Sequence, residues 1–175
     1  MLVSVRGVVA FGLVSWALLA PTLGAGQPVC VADSLRRSGP PEPSAVPDLI
    51  ACSHAADGTS GTRLAAFQSL ATIPSPSGDV LRRLAEGMAD SDARIRRVAA
   101  GALVRVGPGL ASVLDALVEA LEHRDASARR SAASVLASAG PAAASTVPAL
   151  YGALRDEDAR VREEARRAIR AVRGQ

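Results

Sequence analysis

Between residues 60 and 175 the apolar positions of this chain recur on a helical spacing, and the whole pattern then recurs at a shift of 33 residues. One column of the self-alignment holds Thr62, Ile95, Ala128 and Val161. The next columns are Ala66, Ala99, Ala132 and Ala165; Ser69, Ala102, Val135 and Ala168; Leu70, Leu103, Leu136 and Ile169; and Ile73, Val106, Ala139 and Val172. Within each copy these positions fall at i, i+4, i+7, i+8 and i+11, which is one face of an amphipathic helix. A second stripe follows in three copies. Its columns are Leu81, Leu114 and Val147; Leu84, Leu117 and Leu150; Ala85, Val118 and Tyr151; and Met88, Leu121 and Leu154. Spacing of i, i+3, i+4 and i+7 is again helical, so each unit is predicted to be two helices, A then B, with all four columns of B turned to the core.

The punctuation agrees with that division. Gly107-Pro108 and Gly140-Pro141 end helix A in two copies, and the "IPSPSGD" run after Leu70-Ala71-Thr72 does so in the first. Glycine tolerates a left-handed C-terminal position and proline cannot continue a helix. Asp92, Asp125 and Asp158 stand where helix A opens, as capping carboxylates at the positive end of the dipole. One polar column also repeats: Arg63, Arg96, Arg129 and Arg162, four residues after the capping aspartates. Two readings stay open for it. The arginines pair with aspartates, within a unit or as a ladder between units, or they form a stripe for an anionic ligand.

A two-helix unit cannot bury its stripes alone, and stacked copies give each stripe a neighbour. The capping Asp, the hydrophobic-Arg pair (Ile95-Arg96, Val161-Arg162) and the "AAxAL" form of Ala99 to Leu103 resemble HEAT repeats. The segment "TVPALYGALRDEDARVREEA" is similar to the short class of these repeats named after phycobilisome lyases. The resemblance implies an all-α, right-handed α-solenoid of about three and a half two-helix repeats, and it implies no lyase activity. In resembling solenoids helix B lines the concave face and carries contacts, which makes Arg83, Glu86, Glu119 and Glu122 the candidate partner-binding residues. The closing helix A bears Glu163, Arg166, Arg167, Arg170 and Arg173 outward. It reads as a polar cap, or as a surface that docks further chains.

Upstream, "SAVPDLIACSHAADG" (Ser44 to Gly58) resembles Ser145 to Ala159 and reads as helix B of a degenerate earlier unit, with "VADSL" (Val31 to Leu35) a remnant of its helix A. The organisation is then residues 1–26 as a secretory signal peptide, 27–43 as a proline-rich linker and degenerate segment, and 44–175 as the solenoid. Arg6, the uncharged run Val8 to Ala20, and Gly24-Ala25-Gly26 have the layout of a cleavable signal. The alternative is an uncleaved inner-membrane anchor over residues 7–23, short for a span of about 20 apolar residues. Export places the chain in the periplasm or outside the cell. There the two cysteines, Cys30 and Cys52, are expected to form a disulfide; in a reducing compartment they are free thiols.

Composition narrows the chemistry. All 20 basic residues are arginine, which removes Schiff bases and phosphate-loop lysines. Without residues 1–26 the chain carries 19 arginines against 17 acids, a balance that gives no reason to expect a nucleic-acid partner. Aromatic residues make up 2% of the chain, too few for base or sugar platforms. Cys30, Cys52, His54 and His123 fit no zinc spacing. His123 falls in a turn where other copies have Asp90 and Asp156, and is read as a polar turn residue. No catalytic motif, cofactor or metal is expected. The predicted function is a non-enzymatic exported scaffold for a protein or peptide partner. A bilin lyase-like enzyme or subunit, and an arginine-rich binder of nucleic acid, are the alternatives, the second only if the N-terminus is not a signal.

Overall fold

A computed structural model of the chain describes residues 40–54 and 60–175. The signal, Val31 to Leu35, Cys30 and most of the linker therefore lie outside the described residues. The helices are α1 (Val46–His54), α2 (Ser60–Leu70), α3 (Gly78–Gly87), α4 (Ala93–Val106), α5 (Leu114–Ala120), α6 (Ala126–Ala139), α7 (Val147–Ala153) and α8 (Ala159–Val172), with no strand among the described residues. Helices α2, α4, α6 and α8 are the predicted A helices, and α3, α5 and α7 the B helices. The degenerate upstream copy supplies α1, again a B helix.

Each A helix packs against the next, α2 on α4, α4 on α6 and α6 on α8, while α3, α5 and α7 pack on the A helix of the following unit. The column Ala66, Ala99, Ala132 and Ala165 is fully buried in every layer. Side chains this small let neighbouring helix axes approach at the short end of the usual range. Leu70, Leu103 and Leu136 are buried in successive layers of one interior, and Ile169 nearly so. Leu84, Leu117 and Leu150 do the same for the B helices.

Capping is as the sequence leads one to expect. Asp92 accepts from the Arg94 amide, Asp125 from those of Ser127 and Ala128, and Asp158 from those of Arg160 and Val161. The exits of the A helices differ from expectation. Gly107 sits at φ 60°, ψ −123° and Gly140 at φ 57°, ψ −140°. These are close to the first central position of a type II′ turn, not the left-handed helical region. The "GP" segments that follow are 3₁₀ segments of seven residues, Gly107–Val113 and Gly140–Thr146, the second kinked at Ala143, rather than open loops. They carry Leu110, Val113, Ala143 and Thr146 into the core. Ala93–Ala120 and Ala126–Ala153 are apolar and long enough by composition to cross a membrane. Each is broken at its positive-φ glycine, so neither is one straight rod.

Of the predicted core positions several are half-buried and one is exposed. Tyr151 shares a column with buried Ala85, yet it is 44% exposed, with the Arg173 guanidinium 5.4 Å from its ring centre. Among the described residues no B helix follows α8 to cover this face of α7. A residue that is interior in a middle layer becomes surface in the last one.

Candidate interaction surfaces

The repeated arginines resolve into a ladder between units. Arg63 Nη2 donates to Asp90 at 2.8 Å, Arg96 Nη2 to Asp125 at 2.6 Å, and Arg129 to Asp156 through Nε at 2.7 Å and Nη2 at 2.9 Å. Each acid belongs to the turn of the following layer. The other guanidinium nitrogen turns back to its own layer: Arg96 Nη1 donates to the carbonyls of Asp90 and Ser91, Arg129 Nη1 to those of His123 and Arg124, and Arg162 Nη1 to those of Asp156 and Glu157. These carbonyls follow the C-terminus of a B helix, where backbone acceptors are otherwise orphaned. Arg96 and Arg129 are buried, which makes them struts between layers rather than a stripe open to ligands. Arg162, in the last described layer, makes the carbonyl contacts.

The electrostatics follow from this geometry. The Arg129 guanidinium holds the Asp156 carboxyl below the usual carboxylate range, and Asp156 in turn holds Arg129 above the usual arginine value. Asp125 is lowered chiefly by the Ser127 hydroxyl, helped by the α6 amides and Arg96. Asp92 is pulled down to about 2 by the Arg94 side chain and amide that clasp it. In the middle layer His123 replaces aspartate. Its Nδ1 accepts from the Asp125 amide at 3.0 Å, as Asp90 accepts from Asp92 and Asp156 from Asp158, both at 2.8 Å. It offers Arg96 no carboxylate, and Arg96 reaches on to Asp125; its Nε is buried without an acceptor, as is that of Arg63, which does face an aspartate.

The four helix-B candidates divide. Arg83 is not presented to a partner: its side chain is 12% exposed and tied down. Nε donates to the Ser53 hydroxyl at 2.6 Å, Nη2 to the Ser53 carbonyl, and Nη1 to Glu86 at 2.9 Å, with the Phe67 ring 4.8 Å below the guanidinium. It is the bolt between α3 and α1. Glu86, Glu119 and Glu122 are exposed, and Asp115, which spacing alone did not single out, lies on the same face of α5. Glu86 and Glu119 are one period apart, as are exposed Asp115 and Arg82. Cys52 is buried on α1, facing away from this surface, and its expected partner Cys30 is outside the described residues. His54 is exposed and His123 half-buried, and among the described residues no group of three or more metal-ligating side chains comes together.

The exposed faces of the A helices carry the opposite charge: Arg94 and Arg97 on α4, Arg130 on α6, and Arg160, Arg166, Arg167 and Arg170 on α8. Arg94, Arg166 and Arg167 are engaged by Asp92, Glu163 and Glu164. Exposed acids thus predominate on α5 and exposed arginines on α4 and α6, with Arg82 on α3 and Glu163 on α8 as exceptions.

Stacked helical pairs, each buried only by its neighbours and joined by a polar ladder, define an α-solenoid repeat protein. The sequence matches the HEAT repeats family over residues 46–137 and 114–175, and the chain belongs to that family. Compared with the curated proteins, it has no match. Among solved structures it is similar to an engineered protein, with TM-score 0.53, 22% identity, and coverage of 75% of this chain and 63% of that one. It is also similar to a designed armadillo repeat protein in complex with the peptide (KR)4, at TM-score 0.53, 17% identity, and coverage of 74% and 64%. A second designed armadillo repeat protein aligns at TM-score 0.50 and 15% identity, over 73% and 64%. The chain spans less than two thirds of the length of each of these.

Proposed function

We propose that this protein is an exported, non-enzymatic scaffold that holds a basic segment of a partner protein against its B helices. The observation that carries the reading is the row of exposed carboxylates Glu86, Asp115, Glu119 and Glu122 on α3 and α5 and the turn after α5. None of them makes a ladder contact, the ladder's acids Asp90, Asp125 and Asp156 all being in the turns, and only Glu86 is paired, with Arg83. Their spacing along a continuous face suits an extended chain, and a standard interface of about 800 Å² per partner would span both helices. A structure of the same architecture holding the peptide (KR)4 lends support at the level of fold. Export rests on the layout of residues 1–26, and a Cys30–Cys52 bond would staple the N-terminal unit once there.

The test is titration of a labelled (KR)4 peptide followed by fluorescence anisotropy. Glu119→Arg/Glu122→Arg should weaken binding at least about tenfold while leaving the melting temperature within a few degrees. Unchanged affinity removes the B face as the site. The intact mass of the protein from its native host, with and without reduction and alkylation, checks both signal removal and the cysteine bond.

A further inference from the structure

We infer that the trough between α4 and α6, on the side of the molecule away from the carboxylate row, is a second binding site, one for an extended acidic segment of a partner protein. The trough encloses about 360 Å³ and is lined by Arg97, Gly101, Ser127, Arg130, Ser131 and Ser134 among others, with no carboxylate in the lining. Arg97 and Arg130 stand one period apart on adjacent helices, and neither has an ion-pair partner among the described residues. This separates them from Arg96 and Arg129 beside them, which are consumed by the ladder.

Gly101 is the second observation. It sits in the middle of α4, where glycine is unfavourable by about 1 kcal/mol relative to alanine. Nothing in the fold requires it: a Cβ there would meet nothing nearer than the Arg105 guanidinium at 3.9 Å. Gly87, by contrast, is forced by a ring against its backbone. What the missing side chain at 101 does is leave the trough floor open. Along the opposite wall Ser127, Ser131 and Ser134 follow one helix face, spaced by about 6 Å and then about 4.5 Å of helical rise. That run of about 10 Å matches three residues of extended chain at about 3.3 Å each. Ser131 and Ser134 are half-buried hydroxyls able to donate to and accept from such a backbone, while Arg97 and Arg130 meet its carboxylates in a fork geometry that suits them.

The probe is a fluorescein-labelled oligoglutamate peptide titrated against the full chain at low and physiological salt. Arg97→Glu/Arg130→Glu should weaken binding at least about tenfold. Arg160→Glu/Arg170→Glu makes the same change of net charge outside the trough and should stay within about twofold. Gly101→Leu fills the floor with a better helix former, so it should abolish binding with the melting temperature kept or raised. Equal losses in the two double reversals, or retained binding in Gly101→Leu, overturn the site. Tighter binding of phosphatidylglycerol vesicles or single-stranded DNA than of the peptide, lost in the same variants, overturns the acidic-peptide assignment. Glu119→Arg/Glu122→Arg leaves this binding intact if the two faces are independent, which keeps the outcome separate from that of the carboxylate row.

Discussion

Phe67 and Gly87 show how one layer departs from the repeat and compensates. Where the first layer has Phe67 and Gly87, the next has Ala100 and Ala120, and the next Ala133 and Ala153. The ring is fully buried, and a Cβ at Gly87 would lie 2.3 Å from one of its carbons and 2.8 Å from another. Gly87→Ala adds helix propensity worth about 1 kcal/mol but overpacks a site with no room, a penalty of about 1–3 kcal/mol. The net expectation is destabilisation. In a Phe67→Ala background the same change has space, and its sign should reverse; a double-mutant cycle by urea unfolding reads this directly. Additive effects would show that the ring does not set the glycine. His123 makes the complementary case. His123→Asp places a second carboxylate beside Arg96, where Asp156 stands beside Arg129, at the positive end of α6. It should raise stability by about 1 kcal/mol, seen as a higher denaturation midpoint at neutral pH. The column of Asp90, His123 and Asp156 was legible in the sequence. The orphaned guanidinium nitrogen was not, because it depends on how far Arg96 reaches into the next layer.

The helical pair is where local signals spoke most clearly and where one was misread. Capping aspartates, stripe periods and the breaks at Gly-Pro all mark real boundaries, since each acts over a turn or two of chain. The connection after the glycine is a different matter. Val80, Val113 and Thr146 form a buried column one period apart, and the stripe reading passed over it because in two copies it lies before the α-helix proper. There the 3₁₀ twist, with its three residues per turn, changes which residues face inward. Thr146 is tolerated in that place because its hydroxyl donates to the Ala143 carbonyl at 2.8 Å. The positive-φ glycine that starts the segment is the element's weak point. Gly140→Ala forces a side chain into a region closed to it and should lower stability by about 1–3 kcal/mol, against the usual gain from replacing glycine. A melting temperature equal to or above the parent's would mean that the turn relaxes into another form.

For the stacked molecule, cohesion between layers is partly electrostatic and therefore depends on pH. Asp125 and Asp156 are held below the ordinary carboxylate range and Asp92 lies at about 2. In the unfolded chain these groups return to about 3.9. As pH falls the unfolded state takes up protons first, so the contribution of these capping and ladder carboxylates is complete above about pH 5 and drains away toward pH 2. Thermal melts should be flat from pH 7 to about 5 and fall steeply below about 4. Asp156→Asn should lower the neutral melting temperature, leaving buried Arg129 only the exposed Glu157 as counter-charge, and flatten the acid limb. An acid limb identical to the parent's would place the acid sensitivity elsewhere. The ends of the stack obey a different rule from its middle. Tyr151, read as core from its column, is surface in the last described layer, where no further B helix is described to cover it.

Periodicity is a local property of the chain, so the helices, their order, their caps and the layers they would form can all be read along it. Which side chains become struts and which stay available cannot, because that depends on contacts 27 to 30 residues away. Arg83 and Arg97 look alike in one dimension. Stacking ties the first to Ser53 and Glu86 and leaves the second on the wall of an open trough. The placing of Asp115 and Glu119 on one side and of unpaired Arg97 and Arg130 on the trough wall likewise exists only once the layers are piled, since along the chain the two charges alternate every few residues.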